Sequence, residues 1–342
     1  MALEDLEKRI DIRDLKIGSG APTAPADKEA AERAGADFYI EIDFQKGKGN
    51  PSRVFRAMSD LIDALQSTDQ SLIKSIDAKL EPVLLLEDVE SGSVRAWLKQ
   101  AIESIDDEGL KEGDWKKIVG SYLVRAKYLM VNFLDKKTDI KGTQEIQQLE
   151  GALNRLAEET DVKRFPAYEP IKREALVRDI AKINEALAPL NDDDKAIFVT
   201  GDEKADFNLT LHIAPETIEE LITAESIQSV AEMILKVKKP DFLGTSQWEF
   251  KHDNRTLIAK ILDEGWLKDF QEGNVLVKPG DAIRAQVLTE VRYGFERDVV
   301  ATHYSVTQVI EVIHKEQTSQ PRLFPNTAPG GLRLDHVDED EE

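Results

Sequence analysis

Cysteine is absent from the 342 residues, which rules out disulfides, thiolate metal sites and cysteine nucleophiles. Histidine is scarce: His212, His252, His303, His314 and His336 are the five, and none is paired at a metal-binding spacing. No HExxH or HxH occurs, so a helical zinc site has nothing to be built from. GxSxG is missing too, which leaves a serine hydrolase without its nucleophile turn. Asp192, Asp193 and Asp194 form an acidic run, but the ligand spacing of a calcium loop does not accompany them.

Long apolar runs are also lacking. The most membrane-like stretch, IVGSYLVRAKYLMVNFL at 118–134, falls short of the ~20 residues a span needs and carries Arg125 and Lys127 at its middle. It reads as a buried or interfacial helix. The opening MALEDLEKRIDIRDL has no basic region ahead of an apolar core, so no signal peptide is expected.

Positive charge is in short supply, with 45 basic residues against 66 acidic ones and a net charge of −21. Such a field repels phosphate backbones and favours solubility, so a cytoplasmic protein without a nucleic-acid partner is expected. Lys236, Lys238 and Lys239 make a local basic run, which reads as a solvated strand edge that deters aggregation. The apolar share of 41% suits a soluble globular chain, and the length allows two domains or three.

What is present reads as an α+β protein. Residues 1–36 are a flexible leader, with GSGAPTAPADKEAAE at 18–32. FYIEIDF at 38–44 alternates, placing Phe38, Ile40, Ile42 and Phe44 on one strand face and Tyr39, Glu41 and Asp43 on the other. From Ser52 the period changes to helical, with Val54, Phe55, Met58, Leu61, Ile62 and Leu65 on one stripe. PVLLLEDVESGSVRAWLKQ at 82–100 is a hairpin turning at residues 90–93. An N-terminal strand-helix-hairpin sheet therefore carries helices, and a helical middle follows at 115–134, 144–159 and 173–187. The first domain is expected over 37–190. A β-rich module, a small barrel or sandwich, is expected over 191–314, with strands at 196–200, 207–213, 233–238, 248–250, 256–262, 282–293 and 300–313. Small helices are expected at 215–223 and 264–270. Residues 315–342 read as a disordered acidic tail.

Three residue sets invite chemistry. Between the first strand and helix lies QKGKGNPS, where Lys46, Gly47, Lys48, Gly49 and Ser52 offer a phosphate loop. The Walker and dinucleotide spacings both fail, and turn chemistry alone explains the segment: Asn50 or Ser52 caps the helix, with Pro51 in its first turn. Glu41 and Asp43 on the strand, with Glu87 and Asp88 in the hairpin, are faintly similar to the acidic frame of palm-type nucleotidyl transferases and cyclases. Such carboxylates hold paired metal ions, although the hairpin tip here lacks the second acidic signature. In the β-rich module, Trp248, Phe250 and Trp266 read as barrel packing. The alternative is a ligand or partner cleft formed with His252 and Lys260. In the PGD turn, Gly280 takes positive φ and Asp281 caps the turn.

Pro240, Trp248, Phe250, Ala259, Lys260, Ile261, Asp263, Trp266, Gly280 and Asp281 carry a resemblance to a module of uncharacterised bacterial proteins. With GSVRAWL and the helix after it, the likeness extends over most of residues 38–312. It implies the strand-helix-hairpin and barrel arrangement and a mobile-element or phage-defence setting, but no activity. The resulting expectation is a non-catalytic binding or regulatory protein, without cofactor, that recognises a protein partner or small ligand and self-associates through its amphipathic helices. A palm-like metal enzyme is one alternative, and a membrane-associated effector using 122–134 is another.

Overall fold

A computed structural model describes residues 36–45, 50, 52–90, 94–104, 115–140, 142–278 and 280–315. The leader, Lys46 to Gly49 of the glycine-lysine loop, the tip of the first hairpin and the acidic tail lie outside the described residues. Among the described residues, two five-stranded sheets and six α-helices make up the α+β fold. The chain divides into two units, residues 1–227 with 291–302, and residues 228–290 with 303–342.

In the first unit, β1 (Phe38–Asp43), α1 (Ser52–Ile76), β2 (Leu80–Glu90) and β3 (Val94–Ser104) form a split β-α-β unit in which β3 lies between β1 and β2. β4 (Lys195–Thr200) pairs with the other side of β1, and β5 (Glu203–Asp206) completes the order β2-β3-β1-β4-β5. The alternation in FYIEID sends Phe38, Ile40 and Ile42 into one core, where Phe198 stacks on Phe38 at 4.8 Å. α1 buries Val54, Met58, Leu61, Leu65 and Leu72 against the same face. Asn50 starts that helix: its Oδ1 accepts from the Ser52 N–H at 3.0 Å, as an N-terminal cap does.

Four more helices extend this core: α2 (Trp115–Leu134), α3 (Thr143–Glu159), α4 (Arg173–Glu185) and α5 (Pro215–Ile222). On the other face of the sheet Tyr39, Trp97 and Val199 form a small second cluster. That face is therefore not simply a polar surface.

Two strand expectations need correction. Residues 196–200 belong to the first sheet rather than to the β-rich module, because β4 pairs with β1 from Tyr39↔Val199 to Asp43↔Lys195. Residues 207–213 make no strand despite their alternating pattern. Their backbone is engaged by side chains: Asn208 Oδ1 accepts from the Leu211 N–H, and Asn184 bridges the Leu211 carbonyl and the Ile213 N–H. An extended segment capped in this way has no need of a neighbouring strand.

The second unit contains a closed barrel in the order β10-β8-β7-β6-β9. Its strands are β6 (Thr223–Lys239), β7 (Trp248–His252), β8 (Arg255–Ile261), β9 (Ala282–Gly294) and β10 (Val299–Ile313), and the unit boundaries fall within β6, β9 and β10. β7 and β8 join through Asp253 and Asn254, both at positive φ, as a two-residue hairpin requires. α6 (Glu264–Gln271) separates β8 from β9, and β10 runs parallel to β8. Asp263 caps α6, its Oδ1 accepting from the Trp266 N–H at 3.1 Å.

Candidate functional site

The barrel residues do not gather into one cleft. Trp248 and Phe250 are fully enclosed and belong to the barrel core, with Trp248 4.9 Å from the Phe270 ring. Trp266 is partly buried and stacks on Phe270 at 5.8 Å. Lys260 is exposed and alternates with the inward Ala259 and Ile261, so it projects from the opposite side of the barrel wall. His252 donates through Nδ1–H to the Ile234 carbonyl oxygen, 3.1 Å away. Strand alternation separates the lysine from the indoles, and this corrects the expected grouping.

Nor do the four carboxylates of the first sheet meet. Glu41 is held by Arg95, whose Nη2 lies 2.8 Å from Oε2, and the same guanidinium lies 5.0 Å from the Tyr39 ring centre. β3 intervenes between β1 and β2, so Glu87 and Asp88 stand two strand spacings, roughly 10 Å, from Glu41 and Asp43. Asp88 caps its own neighbour, Oδ1 accepting from the Val89 N–H, while Glu87 faces Lys99 at 4.0 Å. Among the described residues no three acidic or histidine side chains are placed to share a metal ion. Of the candidate phosphate-loop residues Lys46, Gly47, Lys48, Gly49 and Ser52 only Ser52 is described, and its hydroxyl donates to Asn50 Oδ1 at 2.9 Å.

A different site emerges where β3 meets α2. A cleft of about 630 Å³ is lined by Asp37, Lys99, Gln100, Lys116, Lys117, Ser121, Arg125 and Thr200, among others. Four of these side chains are cationic and one is a carboxylate. Asp37 is already engaged, Oδ2 accepting from the Gln100 N–H at 2.8 Å. Arg125 pairs with Glu159 at 3.0 Å, in a contact exposed enough to be worth little. Lys116 lies 5.4 Å from the Trp115 ring, and neither Lys116 nor Lys117 has a carboxylate partner among the described residues. Both lysines occupy the first turn of α2, which carries no acidic residue. Helices favour negative charge there, because their leading N–H groups are partly positive. This turn therefore breaks a local electrostatic rule, as functional sites often do.

Behind the cleft lies an enclosed polar network. Lys127 Nζ donates to both oxygens of Asp69, at 2.6 and 2.7 Å, and to Gln100 Oε1 at 2.5 Å. Burial drives the Asp69 carboxyl up to about 6, with Lys127 and Gln100 only partly offsetting it, and the same burial lowers Lys127. Asp179 is likewise raised to about 6 by burial, against hydrogen bonds from Ser71 and Ser67 and the charge of Lys182. Gln100 links the two, lining the cleft and accepting from Lys127 through Oε1 in the network.

Two other clefts of the first unit differ in chemistry. One of about 460 Å³ is dominated by Asp60, Asp63 and Glu185, beside Lys182. Another of about 420 Å³ contains Glu150, already clamped by Arg173 at 2.7 and 2.8 Å. Neither concentrates positive charge.

Sequence reasoning missed the basic cleft because its residues come from positions 37, 99–102, 116–125 and 200. The signal within reach was the Lys116-Lys117 pair opening a helix. No helix among the described residues is long and apolar enough to cross a membrane. Comparison with protein-family models, curated proteins and solved structures returned no match.

Proposed function

We propose that this chain is a non-catalytic binding protein whose first unit holds a small phosphate-bearing molecule in the cleft between β3 and α2. One observation carries the reading. In a chain of net charge −21, Lys99, Lys116, Lys117 and Arg125 line one cleft, and two of them occupy a helix turn that disfavours cations. An anion there offsets both the lysines and the helix dipole. The volume of about 630 Å³ lies inside the ~300–1,000 Å³ range of small-molecule sites. Arg125 offers a planar fork suited to phosphate oxygens, and Ser121 adds a neutral donor. Asp37, the carboxylate of the lining, is committed to the Gln100 backbone and is poorly placed to act as a free base. The phage-defence setting rests on the family resemblance alone.

Calorimetric titration of the full chain with inorganic pyrophosphate and with ATP tests the proposal. Saturable binding that weakens as salt rises is expected, with Lys116→Glu/Lys117→Glu losing at least tenfold in affinity. Absence of binding to either probe, or equal affinity in the double variant, would end it.

A further inference from the structure

The barrel wall carries its own concentration of positive charge. Lys236 of β6 and Lys251 of β7 stand directly opposite one another in register, while their neighbours Val237 and Phe250 point into the core. Both lysines therefore face outward, as does Lys260 on β8. Like charges directly across a strand pair destabilise it. On this face Glu249 is the one acidic residue of β7 and pairs with Lys238 at 2.8 Å. None of Lys236, Lys251 and Lys260 has a carboxylate partner among the described residues. Lysines on a strand commonly guard an exposed sheet edge, which was the sequence expectation for this run. Here β6 lies between β7 and β9 in a closed barrel, so there is no edge to guard. Something else must account for the lysines.

Two half-exposed aliphatic side chains, Ile234 and Ile258, share the strands with them. The outward positions of β7 and β8 hold Glu249, Lys251, Thr256, Ile258 and Lys260, and no aromatic ring on which a nucleobase could stack. Cations interspersed with aliphatics suit an acidic peptide that also carries apolar residues. The chain contains one. Residues 334–342 read LDHVDEDEE, with Leu334 and Val337 among six carboxylates. The 27 residues after Lys315, where the barrel's last strand has just ended, reach at most ~90 Å when extended, ample to return to the wall.

We infer that the outer face of β6, β7 and β8 is a docking surface for the chain's own C-terminal segment 334–342. The segment lays its carboxylates along Lys236, Lys251 and Lys260 and its Leu334 and Val337 against Ile234 and Ile258. Charge complementarity fixes the contact.

Fluorescence anisotropy with a labelled LDHVDEDEE peptide tests this. The receptor is a full-length variant whose six acidic residues at 335–342 are replaced by their amides. This variant is expected to bind the peptide at least tenfold more tightly than the parent chain, in which the face is already occupied. Adding Lys236→Glu/Lys251→Glu, or separately Lys260→Glu, is expected to reduce that binding tenfold or more. Lys116→Glu/Lys117→Glu is expected to leave it unchanged, which keeps this test apart from that of the phosphate cleft. Equal peptide binding by parent and amide variant, retention of binding in both barrel-lysine variants, or oligo-dT binding that the peptide fails to displace would overturn the inference.

Discussion

Lys127 places one ammonium group in the main core, where Asp69 and Gln100 are its hydrogen-bond acceptors among the described residues. Removing one member of such a pair strands the other charge, at about 3–5 kcal/mol. Asp69→Ala is thus expected to lower unfolding free energy in urea by that order. Asp69→Leu combined with Lys127→Met should be less damaging than the single change, because no uncompensated charge remains. Protonation adds a pH signature. Asp179 and Asp69 titrate near 6 in the fold and near the ordinary carboxylate value when unfolded. Between those values the folded state binds more protons, so their contribution is full below about 3.8 and lost as pH rises through about 6. Asp179→Asn should remove part of this, giving a smaller gain in melting temperature from pH 7 to pH 5 than the parent shows. An equal gain would contradict the assignment.

Among the elements, the barrel's β9 start and β10 end are joined by one side chain. Asp281 accepts from the Lys278 and Lys315 N–H groups and from His314 Nδ1, each at 2.9 Å. Burial would raise its carboxyl, but these three donors outweigh it and hold it at about 2. Gly280 beside it adopts φ of +97°, and a Cβ there would approach Lys315 at 3.3 Å. Gly280→Val is therefore expected to cost ~1–3 kcal/mol, measured by chemical denaturation. This turn was legible in sequence because Pro-Gly-Asp chemistry is local. So were β1, α1 and the first hairpin, whose periods of two and 3.6 are set by adjacent residues. Sheet membership was not legible: β4 joins β1 because Phe198 finds Phe38, a pairing across 160 positions that no window contains. The pattern of Phe207, Leu209, Leu211 and Ile213 mimicked a strand, and only the amides of Asn184 and Asn208 reveal otherwise.

For the molecule as a whole, charge is the organising quantity. The net −21 is unevenly spread, and basic residues concentrate in the cleft of the first unit and on the barrel wall of the second. Neither concentration could be read from the sequence total, since each depends on strands and helices distant in the chain coming together. The carboxylate frame of β1 and β2 illustrates the converse: residues close in sequence motif are kept apart by β3, with Glu41 paired to Arg95 and Glu87 facing Lys99. The most direct test of the central claim is the melting temperature of the full chain in the presence of phosphorylated small molecules. At a ligand concentration one hundred times its dissociation constant, binding to the folded state stabilises by about 2.7 kcal/mol. A clear rise with at least one phosphorylated compound, abolished by Lys116→Glu/Lys117→Glu and absent with the unphosphorylated analogue, is the predicted result. No rise with any of them, or the same rise in the double variant, would contradict the account.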